Sequence, residues 1–347
     1  MIGGAQLRID LGRFQRNVRA VRERMAPADV LVVVKDDAYG HGVEQIVRAA
    51  CEVGAEWFGA IDPASAVRAK AAAGDDARVF SWLTTTQAAA GELLRAGIEL
   101  GVGDIGYLER VAAAARATGA PACVHLKIDT GLHRNGIRPE AWSEACARAS
   151  ELEHAGDITV VGIWSHIAEA SDASDDASRA VFDDAVAAAR SAGLDPQIRH
   201  LAASAAAWHR AEFRYDLVRI GAFCYGVRSQ DGPELEGIDA VAALVAPVTE
   251  VGSGTATIDV GSADGVFSSW AGRIEVSTPA GRRRLLDVAP FSSRIEAWPG
   301  AAPGDEVTIF GARADGAPTS TDQAELIDTV GEEPLLRLSP LIPRVYV

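Results

Sequence analysis

The chain has 347 residues, 48% of them apolar, and a formal net charge of −15. That length exceeds one typical domain and that apolar share supports a sizeable core, which excludes a disordered chain. The acidic balance argues against a nucleic-acid or anionic-membrane partner, either of which would want a basic face. Up to about residue 225, short β-rich runs alternate with alanine-rich amphipathic stretches. The spacing predicts strands over 31–35, 57–61, 79–83, 98–102, 122–128, 160–164, 197–201 and 217–220, with helices over 42–53, 64–73, 107–117, 140–151, 178–192 and 203–210. Eight strands separated by helices predict an α/β fold of the (β/α)8 TIM-like barrel kind rather than an open doubly wound sheet. After about residue 235 the helical periodicity fades. Runs over 243–250, 255–260, 273–277 and 306–310, bounded by Gly and Pro, predict a C-terminal all-β domain. The division expected is 1–230 for the barrel and 231–347 for the β domain, with residues 1–10 as candidates to pair with the latter.

Nothing in the chain reads as a leader or a membrane span. No basic N-terminal stretch precedes an apolar one and no apolar run reaches about 18 residues, so a cytoplasmic location is expected. Cys51, Cys123, Cys146 and Cys224 are dispersed and form no cluster with histidine. Neither a disulfide framework nor a metal site is expected from them.

Lysine is scarce here. Of 33 Lys and Arg residues only Lys35, Lys70 and Lys127 are lysine. One job that guanidinium cannot do is condense with an aldehyde, because only a primary amine forms a Schiff base. Lys35 closes the apolar run Leu31-Val32-Val33-Val34 and is followed by Asp36-Asp37-Ala38-Tyr39-Gly40-His41-Gly42. That pattern is a buried strand delivering an amine to its C-terminal end; the competing reading is a strand-end lysine that snorkels to water. In a barrel the residues just past each strand converge on one rim, where active sites lie. They would include Lys35 and Tyr39, then Lys127, Asp129 and Arg134, then His166, Ser204, Arg219 and Gly221. Singly, each is more often a satisfied hydrogen-bonding group than a catalyst. Their convergence on one face points to a site.

The motifs, in order, resemble those of the alanine racemase family. Val34-Lys35-Asp36-Asp37-Ala38-Tyr39-Gly40-His41-Gly42 is similar to its pyridoxal-phosphate lysine motif. The segments from His125 to Gly136, Ser165 to Ala168, Ala203 to Ala206 and Val218 to Gly221 follow in the family's order, and Ile342-Pro343-Arg344-Val345-Tyr346 resembles its ending. The resemblance implies pyridoxal 5'-phosphate as cofactor, an amino acid as substrate, and a homodimer whose shared sites are each completed by the other subunit's β domain. It implies that Lys35 holds the cofactor as a Schiff base and acts as one catalytic base. It assigns Tyr39, Ser204, Gly221, Ala222 and Tyr346 to the phosphate, a dianion that hydroxyls and amides can cradle. It places Arg219 against the pyridine nitrogen with His166 and His200 behind it. Arg134 is placed near the phenolic oxygen, supported by Lys127, which is carbamylated in many family members.

Departures from the family's pattern concentrate in the β domain. The family carries its second base, a tyrosine, in a Gly-Tyr-Ala-Asp-Gly stretch; here Gly261-Ser262-Ala263-Asp264-Gly265 puts Ser262 at that catalytic position. A Met-Asp-Gln stretch lining the substrate pocket corresponds to Pro290-Phe291-Ser292, and Ala203 replaces the usual Asn before Ser204. A serine hydroxyl is far too weak an acid or base to replace a phenol directly. The leading expectation remains an amino-acid racemase, of alanine or another amino acid, with substrate or reaction open to change. A one-base pyridoxal-phosphate enzyme (a decarboxylase, aldolase or lyase) and a non-catalytic pyridoxal-phosphate-binding homologue are the alternatives. Gly101-Val102-Gly103-Asp104-Ile105-Gly106 formally matches a dinucleotide fingerprint, but the motif is short and the chain holds 34 glycines, so a nicotinamide cofactor is not expected.

Overall fold

Residues 4–232 and 234–347 are described by the computed structural model. They group into two units. One comprises Val21–Lys35 and Val43–Gly221; the other comprises residues 4–20, Asp36–Gly42 and Ala222–Val347. Strand β1 (Gln6–Ile9) belongs to the second unit. The next eight strands build the first: β2 (Asp29–Val33), β3 (Trp57–Ala60), β4 (Arg78–Ser81), β5 (Glu99–Val102), β6 (Ala122–Lys127), β7 (Ile158–Trp164), β8 (Ile198–His200) and β9 (Leu217–Ile220). They pair in parallel in the order β8-β7-β6-β5-β4-β3-β2-β9. The ring closes where Arg219 N donates to Ala202 O and Asp216 N donates to Arg199 O, both at 3.2 Å.

These strands are apolar on both faces because both faces are covered. Every residue of β3, β5 and β9 is buried, as expected of parallel strands between a filled interior and an outer layer of helices. The helices are Val43–Cys51, Pro63–Ala73, Gln87–Arg95, Ile105–Thr118, Pro139–His154, Asp172–Ser191 and Ser204–His209. Several begin on a side-chain cap that takes an otherwise unpaired amide. Asp62 accepts from Ser65 N at 2.9 Å, Asp104 from Tyr107 N at 2.7 Å, and Thr86 from Ala89 N at 3.2 Å.

The second unit is antiparallel apart from one pairing. Its remaining strands are β10 (Ala242–Val251), β11 (Thr255–Ile258), β12 (Glu275–Thr278), β13 (Gly281–Val288), β14 (Ser293–Glu296), β15 (Glu306–Phe310) and β16 (Arg344–Tyr346). The order β11-β14-β13-β12-β15-β10 closes on itself through a β11–β10 pairing, and β1 and β16 extend the sheet from β10. Strand β16 runs parallel to β1, with Tyr346 opposite Ile9.

The fold class read from the sequence is the observed one, and each of the eight barrel strands lies within a few residues of its predicted span. The helices Leu11–Met25 and Gln87–Arg95 and the strands β1, β13, β14 and β16 were not among the predicted segments. Leu11–Met25 is amphipathic, with Phe14, Val18, Val21 and Met25 fully buried at helical spacing, but its arginines mask that stripe. Strand β13 begins Gly281-Arg282-Arg283-Arg284, which carries no alternation; its pairing with β12 supplies the order. The two compact units divide at Gly221/Ala222, and Asp36–Gly42 groups with the second unit. No helix among the described residues is long and apolar enough to cross a membrane.

The Asp104 cap gives a test of helix anchoring in the barrel. Asp104 is largely exposed and its main tie is to the Tyr107 amide. Asp104→Ala should cost about 1 kcal/mol, and Asp104→Asn much less. A thermal melt should show the alanine variant unfolding roughly 2–4 °C lower. An unchanged melt would remove the cap's role.

Candidate active site

Lys35 stands two residues beyond β2, and Val34 N still donates to Gly59 O of the neighbouring strand at 2.8 Å. The strand register places Leu31 of β2 opposite Arg219 of β9, so Lys35 emerges from the barrel one strand away from Arg219. Straight after Lys35 the backbone turns left-handed: Asp36, Asp37, Ala38 and Tyr39 have φ between 54° and 55°, and Gly40 has φ 78°. Non-glycine residues adopt this region at a cost of roughly 1–2 kcal/mol each. The turn is braced by Gly40 N donating to Asp36 O and Gly42 N to Asp37 O, each at 2.9 Å.

Arg219 is the most constrained charge in the barrel. Its side chain is buried, with five acceptors within 3.2 Å of NH1 and NH2. NH1 lies 3.2 Å from His200 Nδ1 and 3.1 Å from His200 O. NH2 lies 2.8 Å from Ser165 O, 3.1 Å from His166 Nδ1 and 3.0 Å from Leu201 O. Burial pushes its pKa down to about 9, with Glu169 opposing, so it stays charged at neutral pH. A guanidinium has no acceptor, so both imidazoles must accept at Nδ1 and carry their proton on Nε2. His166 is pushed down to about 3 by burial and by Arg219, Arg134, Lys127 and Lys35, which keeps it neutral.

Lys127 ends β6, where its ammonium lies 4.4 Å from the centre of the Trp164 ring. Burial and the positive charges of Arg219 and Arg134 push it down to about 7. The following loop winds about Asp129, whose carboxylate accepts from Gly131 N at 3.1 Å and from His133 N at 3.0 Å, with His133 Nδ1 also 3.0 Å away. Gly136 closes that loop at φ 134°, where a side chain would press on the Asp129 backbone amide. Arg134 projects from it, exposed. Ser204 starts the helix after β8, and Gly221 N, just past β9, donates to Ser204 Oγ at 3.2 Å. A hydroxyl and an amide thus meet at the same end of the barrel as Arg219.

The other predicted site residues belong to the second unit. Tyr39 is buried, its ring 4.8 Å from that of Tyr225, and burial raises its hydroxyl pKa far above the usual phenol range. Tyr346 donates from its hydroxyl to His41 O at 3.1 Å, and Arg344 Nε donates to Gly40 O at 3.3 Å. Ala222 begins a short 3-10 turn over Ala222–Tyr225. Ser262 is half-buried in a loop stitched to the turn after β13: Ser262 N donates to Ala289 O at 2.9 Å and Ala263 N to Pro290 O at 2.8 Å. Gly261 is needed there because a side chain would overlap the carbonyls of Ala289 and Pro290. Phe291, at the tip of that turn, is 74% exposed, unusual for so large an apolar ring.

Three polar residues, two inside the barrel and the part-exposed Arg78, received no role in the sequence reading. His125 accepts from His200, and Glu99 and Arg78 lie beyond it. The one signal was an acid at the start of an otherwise apolar strand. The dinucleotide-like glycines have packing roles instead. Gly101 faces Phe80 and Trp82, Gly103 faces the Asn135 amide, and Asp104 already occupies the helix N-terminus that a phosphate would need.

Comparison with known proteins agrees along the whole chain. A family model described as alanine racemase, N-terminal domain, matches residues 9–229. The alanine racemase of Thermobifida fusca is 36% identical, covering 99% of this chain and 98% of its own, and that of Beutenbergia cavernae is 38% identical over 98% and 97%. The crystal structure of alanine racemase from D-cycloserine-producing Streptomyces lavendulae superposes with a TM-score of 0.93 at 33% identity, covering 100% of this chain and 98% of that one. With the match running through barrel and β strands alike, the chain belongs to the alanine racemase family.

Proposed function

We propose that the protein is a pyridoxal-phosphate-dependent amino-acid racemase, acting as a homodimer in the cytoplasm, in which Lys35 carries the cofactor. The observation that carries this reading is the barrel rim itself. An amine past β2, a buried donor-only guanidinium on β9 and the Ser204–Gly221 pair all stand at the C-terminal ends of adjoining strands. That set fits the cofactor: a primary amine for its aldehyde, a hydroxyl and an amide for its phosphate, and a donor for its ring nitrogen. Tyr39, Ala222 and Tyr346 are assigned to the phosphate as well, and Arg134, backed by Lys127, to the phenolic oxygen. When bound, pyridoxal phosphate supplies the electron sink for the pair left at Cα as its proton departs.

The chain's own residues then set what the site can do. Lys35 removes or returns the proton at Cα from one side. Arg219 gives a hydrogen bond to the ring nitrogen but no proton acceptor, which weakens the sink and favours return of the proton over other fates. The opposite side is where this chain departs from its relatives' pattern, with Ser262 in place of a tyrosine. His166 cannot fill that role. Its Nδ1 accepts from Arg219, and its Nε2 already carries a proton. This favours a second reading, a one-base enzyme on an amino acid, in which only Lys35 moves a proton.

Three experiments follow. The purified protein should be yellow, and Lys35→Ala should abolish the visible band and the borohydride-trapped adduct, since neither Lys70 nor Lys127 stands at that position. An unchanged spectrum in the variant rules out the cofactor assignment.

Sedimentation at micromolar concentration should give a dimer, because the site is proposed to be completed by the β strands of a second copy and to exclude water. A fully active monomer would refute that.

Alanine racemisation should be slow, since a missing acid–base group lowers rates by about 10²–10⁴. Ser262→Tyr should raise it in part, with Phe291 still altering the pocket. Solvent-deuterium exchange at Cα distinguishes the readings: exchange with retention means that Lys35 works alone. Wild-type inversion at roughly 1–10³ s⁻¹ would show that another residue has taken over the second side.

A further inference from the structure

Because Arg219 cannot accept a hydrogen bond, it gives direction to a line of polar groups crossing the barrel interior. Its NH1 donates to His200 Nδ1 at 3.2 Å, so the His200 proton is on Nε2. His200 Nε2 lies 2.9 Å from His125 Nδ1, which must accept in turn. The His125 proton is then on Nε2, 2.7 Å from Glu99 Oε2. Glu99 is the first residue of β5 and so sits at the opposite end of the barrel from the strand ends that carry Lys35 and Ser204. There its carboxylate takes Arg78 Nε and NH2 at 2.6 and 2.9 Å.

Both ends demand the same direction. A carboxylate cannot donate and a guanidinium cannot accept, so turning either imidazole over sets N–H against N–H. His125 and His200 are fully buried, so water cannot replace a lost partner. The fold also makes room for the line. The β6–β7 register shifts between Val124 and His125, which brings His125 opposite Gly162, and a methyl group at 162 would overlap the imidazole. Trp164 stacks on His200 at 5.7 Å and 6°, while Phe80 lies 4.8 Å from His125 and 5.4 Å from His200. The rings are held in plane as well as in direction.

We infer that Glu99 is a positioning residue for the proposed cofactor site: by accepting from His125 it holds His125 and His200 in the tautomers that leave His200 Nδ1 available to Arg219. The inference rests on Arg219 facing the cofactor. The route is the line of hydrogen bonds from Glu99 through His125 and His200 to Arg219. The bland alternative is that Glu99 serves only its ion pair with Arg78.

Three full-length variants separate the two. Arg78→Ala removes the ion pair and leaves the line intact. His125→Phe cuts the line but keeps a ring in place. Glu99→Gln keeps an acceptor oxygen for His125 without the charge. The readouts are the His200 ring-nitrogen shifts in histidine-labelled protein without added cofactor, and the Kd for pyridoxal phosphate. His125→Phe should move the His200 Nε2 signal and weaken the Kd roughly tenfold, the low end of what one hydrogen bond to a charged group is worth. Glu99→Gln and Arg78→Ala should leave both near wild type. Unmoved His200 shifts in His125→Phe would overturn the inference, as would Arg78→Ala reproducing its effect. If His125→Phe does not fold, Glu99→Leu takes its place with the same expected outcomes. Wild-type protein that binds no pyridoxal phosphate would defeat the proposed function, while the nitrogen shifts would still decide the tautomers.

Discussion

A guanidinium taken out of water must find acceptors for its N–H groups, and Arg219 finds five inside the barrel. Leaving such a charge unpaired would cost several kcal/mol, whereas each hydrogen bond to it contributes about 1.5–3 kcal/mol. Three of the acceptors are main-chain carbonyls of Ser165, His200 and Leu201, at or just past the ends of β7 and β8. Those strand ends therefore cannot shift without exposing the charge. The remaining two are imidazoles, and accepting from Arg219 decides where each carries its proton. Much of the interior follows from that, including the aromatic clamp of Phe80 and Trp164 and the absence of a side chain at Gly162.

The same charge shapes the electrostatics of the rim. In a chain of net charge −15, the barrel brings Arg219, Arg134, Lys127 and Lys35 near enough to act on His166 together. Such a cluster suits an anionic ligand. It also keeps His166 neutral and Lys127 poised near neutrality, so charge at this end of the barrel responds to whatever binds. Within this arrangement His166 is a fixed donor, its Nδ1 taken by Arg219.

A second strained feature accompanies the first. Four consecutive non-glycine residues in the left-handed region after Lys35 are costly, and the surrounding structure meets that cost locally. His41 Nδ1 lies 2.9 Å from Ala38 O and 3.0 Å from Tyr39 O, the Tyr39 ring is buried against Tyr225, and β16 contributes Arg344 and Tyr346 to the carbonyls of Gly40 and His41. Strand β16 is short, and its pairing beside β1 places those two side chains. Two aspartates at 36 and 37 are among the residues that tolerate this backbone best.

Patterns with a local physical cause were legible in the sequence. Runs such as Leu31–Val34, buried on both faces, mark parallel strands, and their alternation with amphipathic helices leaves a closed barrel as the simplest arrangement. The ordered motifs around Lys35, Arg134, Ser204 and Arg219 likewise pointed to the rim, because chain order and strand ends determine which residues can converge. What the linear chain could not show was direction and distance. Glu99, His125 and His200 are separated by 26 and 75 residues, and only the curvature of the barrel brings their side chains into one line. The left-handed turn at Asp36–Tyr39 was equally hidden, since no local propensity demands it and bonds from β16, some 300 residues later, hold it. Strand identity depends on nearby side chains, whereas tautomer, charge and strain depend on atoms that meet only after the chain has closed.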